Sequence, residues 1–226
     1  MRGTRLALIV LAVICGGGPS GRHLGAEPAI AAQQDRDRRL FPPEELGVLE
    51  GADRDAWQKP DLIMDALRIG EGSVVADVGA GGGWFTVRLA RRVGPNGKVY
   101  AEDIQPEMLA AIRRRVLREG FNNVLYVHGK TADPGLPASA LDAVLIVDAY
   151  HEIANPVNLL QHLGASLKPA GRIGIVGSTL EGGGPGPPLN QRVDAQRVID
   201  EASHAGLRLV SRETFLDFQY LLILGR

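Results

Sequence analysis

The sequence predicts an α/β fold of three layers, in which helices cover both faces of a doubly wound, mostly parallel sheet of seven strands. Short apolar runs of strand length alternate with helical patterns along most of the chain, and this alternation is typical of consecutive βαβ units. A glycine-rich turn follows the first apolar run. The last two runs are joined by too few residues for a crossover helix, so we expect the last strand to be antiparallel.

The predicted elements begin with a helical pattern over residues 53–67. A strand over 73–78 then runs through the glycine turn into a helix over 83–93, whose apolar residues recur at helical spacing. The other predicted strands are 98–103, 123–128, 141–148, 172–177, 207–211 and 219–224, and the other helices are 106–118, 156–167 and 191–205. We predict one domain over 53–226, preceded by a polar linker over 33–52. The glycine–proline segment 182–188 is predicted to be a flexible connection that could act as a lid.

Residues 1–32 have the pattern of a secretory signal peptide. Arg2 and Arg5 precede the apolar run Leu6–Cys15, and Ala29-Ile-Ala31 is an A-x-A cleavage pattern. The run is shorter than the ~20 residues that a membrane-spanning helix needs. The pattern predicts an exported, periplasmic protein if the segment is cleaved. A retained segment or a misassigned start would instead give a membrane-anchored or cytoplasmic protein.

The composition limits the partners of the chain. Its 226 residues are 45% hydrophobic and 23% charged, with a net charge of −1, as expected for a globular domain that buries its own core. Such a balance does not favour nucleic acid as a partner. We expect membrane contact only through the N-terminal segment. No pair of histidines has the spacing of metal ligands, and we predict no metal.

The glycine turn and two nearby aspartates define a candidate ligand site. Ligands of open α/β sheets bind beyond the carboxyl ends of the strands. Glycines in the turn after Asp77 let backbone N–H groups approach a ligand closely. Asp103 ends the second strand, where a carboxylate can accept hydrogen bonds from ribose hydroxyls. Asp77 lies in an apolar strand, and it either holds the turn together or meets a cationic ligand group. Because NAD enzymes share such a turn, an NAD-dependent dehydrogenase remains an alternative.

Three segments taken together resemble the class I S-adenosylmethionine-dependent methyltransferases. They are Asp77-Val-Gly-Ala-Gly-Gly-Gly83, Tyr100-Ala-Glu-Asp-Ile104 and Leu141-Asp-Ala-Val144. The resemblance covers about residues 55–226 and includes the closing antiparallel pair of strands. It implies the Rossmann-like methyltransferase fold, S-adenosylmethionine as the cofactor, and methyl transfer to a small-molecule acceptor.

The resemblance also implies roles for single residues. Asp77 opens the motif, Gly79, Gly81 and Gly83 pass under the methionine part of the cofactor, Asp103 binds the ribose, Ile104 lies beside the adenine, and Asp148 lines the junction of cofactor and acceptor. Two positions depart from the family pattern. Lys130 stands where an acidic residue often contacts the adenine, so that contact is expected to shift to Asp133 or to a backbone carbonyl. Gly177 stands where an aspartate often follows the fifth strand.

Methyl transfer depends mainly on aligning the acceptor with the methyl group, and a base helps when the acceptor is a hydroxyl or an amine. His151 directly follows the fourth strand, and it is the candidate base because its unperturbed pKa lies near neutrality. It could alternatively cap a helix or line the pocket without transferring a proton. The signal-like segment supports a further alternative, a non-catalytic exported module with this fold, because an extracytoplasmic compartment has no obvious supply of S-adenosylmethionine.

Overall fold

The computed structural model describes residues 40–226. The predicted signal peptide over 1–32 and the first part of the predicted linker lie outside the described residues. Within residues 40–226, no helix combines the length and the apolar character that crossing a membrane requires.

The described part of the chain alternates between strands and helices, as the sequence predicts. The strands are β1 (Val74–Val78), β2 (Lys98–Asp103), β3 (Val124–His128), β4 (Leu141–Val147), β5 (Leu167–Ser178), β6 (Arg208–Glu213) and β7 (Gln219–Gly225). The α-helices are α1 (Arg54–Gln58), α2 (Pro60–Ala66), α3 (Trp84–Val93), α4 (Pro106–Glu119), α5 (Pro156–Ser166) and α6 (Ala195–His204). Short 3-10 helices cover Pro43–Glu50, Tyr150–Glu152 and Leu189–Gln191.

The seven strands form one sheet in the order β3-β2-β1-β4-β5-β7-β6. The first five strands pair in parallel, whereas β7 is antiparallel to both of its neighbours. The predicted mostly parallel, seven-stranded sheet with an antiparallel last strand is therefore confirmed. The strand order reverses between β1 and β4, and a crevice forms at such a switch point beyond the strand ends.

Apolar side chains bury both faces of the sheet. On one face, Leu89 of α3 and Ile112 of α4 belong to a cluster with strand residues such as Val75. On the other face, Leu160 of α5 and Val198 of α6 belong to a second cluster. The two clusters give the predicted three layers, and they fix the strand ends that carry the candidate site.

The single helix predicted over 53–67 is in fact two helices. Lys59 lies between α1 and α2 with a left-handed backbone, φ 49°. A residue that precedes proline is disfavoured in the right-handed helical region, and Pro60 follows. The Lys59 Nζ donates to the Phe215 carbonyl at 2.6 Å, which fixes the break.

The glycine–proline segment 182–188, predicted as a flexible connection, is mostly exposed and contacts its surroundings at single residues. A Cβ added at Gly186 would lie 2.3 Å from the Ser178 Oγ. Arg192 closes the segment, because its guanidinium donates to the carbonyls of Pro187 at 2.9 Å and Thr179 at 2.8 Å. The segment therefore has a defined path over the carboxyl end of β5.

Candidate active site

A pocket of about 920 Å³ lies beyond the carboxyl ends of β1, β2 and β4. This volume is within the ~300–1,000 Å³ range of small-molecule sites. Its floor is formed by the glycine turn after β1 and by the residues that follow β2 and β4. Its sides are formed by parts of segment 40–57 and by residues 184–188. Because parallel strands end at one edge of the sheet, residues far apart in sequence meet here.

Asp103 ties the glycine turn to the end of β2. Its Oδ2 accepts the Gly81 N–H at 2.9 Å, and its Oδ1 accepts the Gln105 N–H at 2.9 Å. Gly81 has φ 54°, and a Cβ added there would meet nothing within 4 Å. Gly79 has φ 66°, and its Cβ would lie 2.6 Å from that of Ala149. Gly79 therefore permits close packing, whereas Gly81 leaves open space.

Seven of the predicted site residues line this one pocket: Asp77, Gly79, Gly81, Asp103, Ile104, Asp148 and His151. Gly83 is not among the lining residues. It caps α3 with φ 79°, and a Cβ there would lie 3.2 Å from Ile112. Its role in the structure is to let α3 approach α4.

Asp133, which with a backbone carbonyl as the alternative was predicted to contact the adenine, is also outside the pocket wall. Backbone hydrogen bonds between Lys130 and Asp133, at 2.8 and 3.1 Å, fold the segment after β3 into a tight turn. The Asp133 Oδ1 accepts the Gly135 N–H at 2.9 Å, and the side chain is exposed. Lys130 and Thr131 line the pocket in its place.

Two buried carboxylates support the turn from below. The Asp77 Oδ2 accepts the Thr86 hydroxyl at 2.6 Å, and burial raises the pKa of Asp77 to about 6. The Glu102 Oε2 accepts the Gly79 N–H at 3.3 Å, and burial raises the pKa of Glu102 to about 8. Glu102 is not among the predicted site residues. Gly129 gives the available signal, because a side chain there would overlap the Glu102 carboxylate.

A chain of polar side chains joins α1 to the end of β4. The Arg54 Nε donates to the Gln58 Oε1 at 2.8 Å, and the Gln58 Nε2 donates to the Gln219 Oε1 at 2.6 Å. The Gln219 Nε2 then donates to both Asp148 oxygens, at 2.9 and 2.7 Å. Burial raises the pKa of Asp148, while Arg54, Gln219 and Ser178 act in the opposite direction.

Segment 40–53 reaches across the pocket. The Phe41 N–H donates to the Glu152 Oε2 at 3.2 Å, and the Phe41 carbonyl accepts the Gln105 Nε2 at 3.1 Å. Glu50 forms an ion pair with Arg115 of α4. The segment that was predicted as a linker therefore contributes, within the described residues, to the wall of the site.

His151 lies in the short 3-10 helix after β4, with 12% of its side chain exposed. Its Nε2 is 3.7 Å from the Glu152 Oε1, and burial raises the pKa of Glu152 to about 7. The geometry thus places an imidazole and a carboxylate together at the pocket. Across residues 40–226, no cluster of three or more histidine, cysteine or acidic side chains could hold a metal ion.

The buried Glu102 should make the protein less stable as the pH rises. Its pKa is about 8 in the folded protein, against an ordinary value near 4.5, so the unfolded chain loses this proton first. The free energy of unfolding should fall between pH 5 and 8, by up to about 1.4 kcal/mol per pH unit from this group. Urea unfolding at several pH values should show a flatter dependence in Glu102→Gln. The exposed Glu107→Gln is the control, and equal slopes in Glu102→Gln and the wild type would contradict the assignment.

Comparison with known proteins agrees with this geometry. A family model described as a methyltransferase domain matches residues 75–171. A protein-L-isoaspartate O-methyltransferase of Methanothrix thermoacetophila is 29% identical over 168 residues, which is 70% of this chain and 77% of that protein. A demethylmenaquinone methyltransferase of Anoxybacillus flavithermus is 30% identical over 118 residues, which is 52% of this chain and 49% of that protein. The chain thus spans about half the length of such quinone-modifying relatives.

The fold has close counterparts among solved structures. The crystal structure of an S-adenosylmethionine-dependent methyltransferase from Aquifex aeolicus superposes with a TM-score of 0.77 and 26% identity, covering 81% of this chain and 98% of that chain. Family model, relatives and fold agree with the glycine turn and the closing antiparallel strands. Together they support a class I S-adenosylmethionine-dependent methyltransferase.

Proposed function

We propose that the protein transfers a methyl group from S-adenosylmethionine to a small-molecule acceptor. The observation that carries the proposal is the position of Asp103, which holds the glycine turn by the Gly81 N–H and lines the same pocket. A turn and a carboxylate so arranged suit a nucleoside ligand. The pocket of about 920 Å³ offers space for an acceptor beside it.

The described residues fit the parts of this cofactor. A carboxylate has about four acceptor positions, and two of those on Asp103 are taken by backbone N–H groups. The remaining positions can accept both ribose hydroxyls. Ile104 supplies an apolar surface for the adenine, and Asp77 supplies negative charge for the cationic end. When bound, the cofactor provides a methyl group already activated on a sulfonium, so the residues of the chain need mainly to align the acceptor and exclude water.

A small acceptor is favoured by the cover of the pocket. Segment 40–53 and residues 184–188 both contribute to the wall, and Phe41 is hydrogen-bonded across the mouth to Glu152 and Gln105. Apolar side chains on these covering elements, among them Phe41 and Leu46, suit an apolar or aromatic molecule. The names of the relatives include both a quinone and a protein acceptor, and the covered pocket supports the former kind.

The sheet topology counts against the dehydrogenase alternative. A dinucleotide-binding domain consists of two parallel mononucleotide-binding halves, whereas here the antiparallel β7 lies between β5 and β6. No described feature favours the non-catalytic module over the enzyme.

We also propose that His151 accepts a proton from the acceptor. His151 follows β4, one of the two strands at the switch point, and it lies on the wall of the pocket with Ala149 and Glu152. This position supports the role. The neighbouring Glu152 carboxylate would stabilise the imidazolium that forms.

Substitutions in the glycine turn should weaken cofactor binding without unfolding the protein. Gly81→Asn keeps a residue that tolerates the left-handed region but fills the open space. Asp103→Asn removes the charge and one acceptor. Each should raise the Kd for S-adenosylmethionine about 10- to 100-fold in calorimetric titrations. Gly120→Asn, at a left-handed position at the end of α4 with open space around it, is the matched control. Unchanged affinity in both site variants would refute the proposed cofactor site.

The role of His151 can be separated from binding. With an acceptor that the wild type methylates, His151→Gln should lower kcat about 100-fold or more and leave the Kd for the cofactor within about 3-fold. His162→Gln is the control, since His162 lies outside the pocket wall. Formation of S-adenosylhomocysteine measures the rate. An unchanged kcat would show that His151 only lines the pocket.

A further inference from the structure

The wall of the pocket is strongly acidic. Its carboxylates are Glu45, Glu50, Asp53, Asp77, Glu102, Asp103, Asp148 and Glu152. Among the described lining residues, the permanently basic side chains are Arg54 and Lys130. S-adenosylmethionine carries one anionic group, the carboxylate of its amino-acid end. In so acidic a pocket, that carboxylate requires a cationic partner to offset its desolvation.

The sheet order decides which cation can reach the carboxylate. In the orientation that the family resemblance implies, the ribose binds Asp103 and the methionine part lies over the glycine turn after β1, so the amino-acid end is on the side of β1 and β4 and the adenine is on the side of β3 in the sheet order. Lys130 follows β3, on the adenine side. Arg54 lines the pocket together with Asp77 and Asp148, and hydrogen bonds through Gln58 and Gln219 connect it to Asp148 at the end of β4. Arg54 is therefore on the correct side.

The Arg54 guanidinium is held before any ligand arrives. Its central carbon lies 4.2 Å from the ring centroid of Trp84, and Arg88 also stacks on that ring, at 3.4 Å. Arg88 in turn pairs with Asp55 of α1, at 2.7 Å. A planar cation fixed by stacking loses less conformational freedom when it binds a carboxylate.

Gln58 and Gln219 also restrain Arg54. The orientation of both side-chain amides is determined by Arg54 at one end of the hydrogen-bonded chain and by Asp148 at the other. Arginine can only donate hydrogen bonds, so Gln58 must present its oxygen to Arg54 and its nitrogen to Gln219. An ionised Asp148 can only accept, so Gln219 presents its nitrogen to Asp148 and its oxygen to Gln58. Both amides are buried, at 0% and 3% exposure. Reversing either amide would leave buried donors and acceptors unpaired, which is unfavourable.

We propose that Arg54 binds the carboxylate at the amino-acid end of S-adenosylmethionine, and that Gln58 and Gln219 are positioning residues that hold Arg54 and Asp148 in register. Asp77 and Asp148 lie on the same side and serve the ammonium group. The site would thus bind a zwitterion, with Arg54 of α1 facing its carboxylate and with Asp77 and Asp148 facing its ammonium group. This inference rests on the proposed function.

Decarboxylated S-adenosylmethionine tests the assignment, because it keeps the sulfonium and the amine and lacks only the carboxylate. The wild type should bind it more weakly than S-adenosylmethionine. Arg54→Met should raise the Kd for S-adenosylmethionine about 10- to 100-fold and that for the decarboxylated ligand less than about 3-fold. Arg54→Lys should retain part of the discrimination.

Gln219→Leu tests the positioning role. It should lower the preference for the carboxylated ligand. It should also move the acid limb of S-adenosylmethionine binding to higher pH, since Asp148 loses hydrogen bonds that lower its pKa. Asp65→Asn in α2 is the control, because it removes an ion pair with Arg92, and neither residue lines the pocket. Thermal unfolding of each variant checks folding.

The outcomes separate the two proposals. If the wild type binds neither ligand, the proposed function fails and this inference fails with it. If the wild type binds S-adenosylmethionine but Arg54→Met loses affinity equally for both ligands, or for neither, only the assignment of Arg54 is overturned. A Gln219→Leu protein with unchanged ligand preference and pH profile would overturn the positioning role.

Discussion

The hydrogen bonds from the Gly81 and Gln105 N–H groups to Asp103 are the interaction on which the site depends. They connect the turn after β1 to the end of β2, together with the hydrogen bonds that Glu102 accepts from the Gly79 and Ala80 N–H groups. Gly81 has a left-handed backbone, which glycine adopts without strain. This conformation directs the Gly81 N–H toward Asp103. The floor of the pocket follows from this connection, and the covering segments are attached around it.

The burial of acidic side chains is the second organising constraint. Asp77, Glu102 and Asp103 lie at neighbouring strand ends, and burial raises the pKa of each. Keeping these carboxylates together costs stability in the absence of a ligand. A cationic ligand recovers part of that cost when it binds, and transfer of the methyl group turns the sulfonium into a neutral thioether. The same charges that favour the cofactor should therefore favour its product less.

Much of the fold could be predicted from the sequence because its signals are local. The β-branched run of β1, the glycine turn and the helical spacing of α3 each lie within a few residues. The short connection between β6 and β7 indicated the antiparallel pairing. The break at Lys59 also has a local signal, the Pro60 that follows it, although one continuous helix was predicted over 53–67. Asp133 lies outside the pocket wall because a tight turn, and not the direction of β3, determines where its carboxylate lies.

The polar chain from Arg54 to Asp148 could not be predicted in this way. Gln58 and Gln219 are 161 residues apart, and a glutamine in an otherwise apolar strand gives no sign of its partner. The contacts of Gly184 with Phe218 and of Gly186 with Ser178 could not be predicted for a similar reason, since they join residues from different parts of the chain. Sequence patterns identify elements, whereas these contacts depend on how the finished sheet brings the elements together.

Hydrogen exchange with and without ligand tests the central claim most directly, because it locates the binding site as well as detecting it. Saturating S-adenosylmethionine should slow amide exchange in the turn 79–83, in residues 103–105 and in α1, while NAD should leave these segments unchanged. Protection of the same segments by NAD alone, or no protection of them by S-adenosylmethionine, would contradict the account.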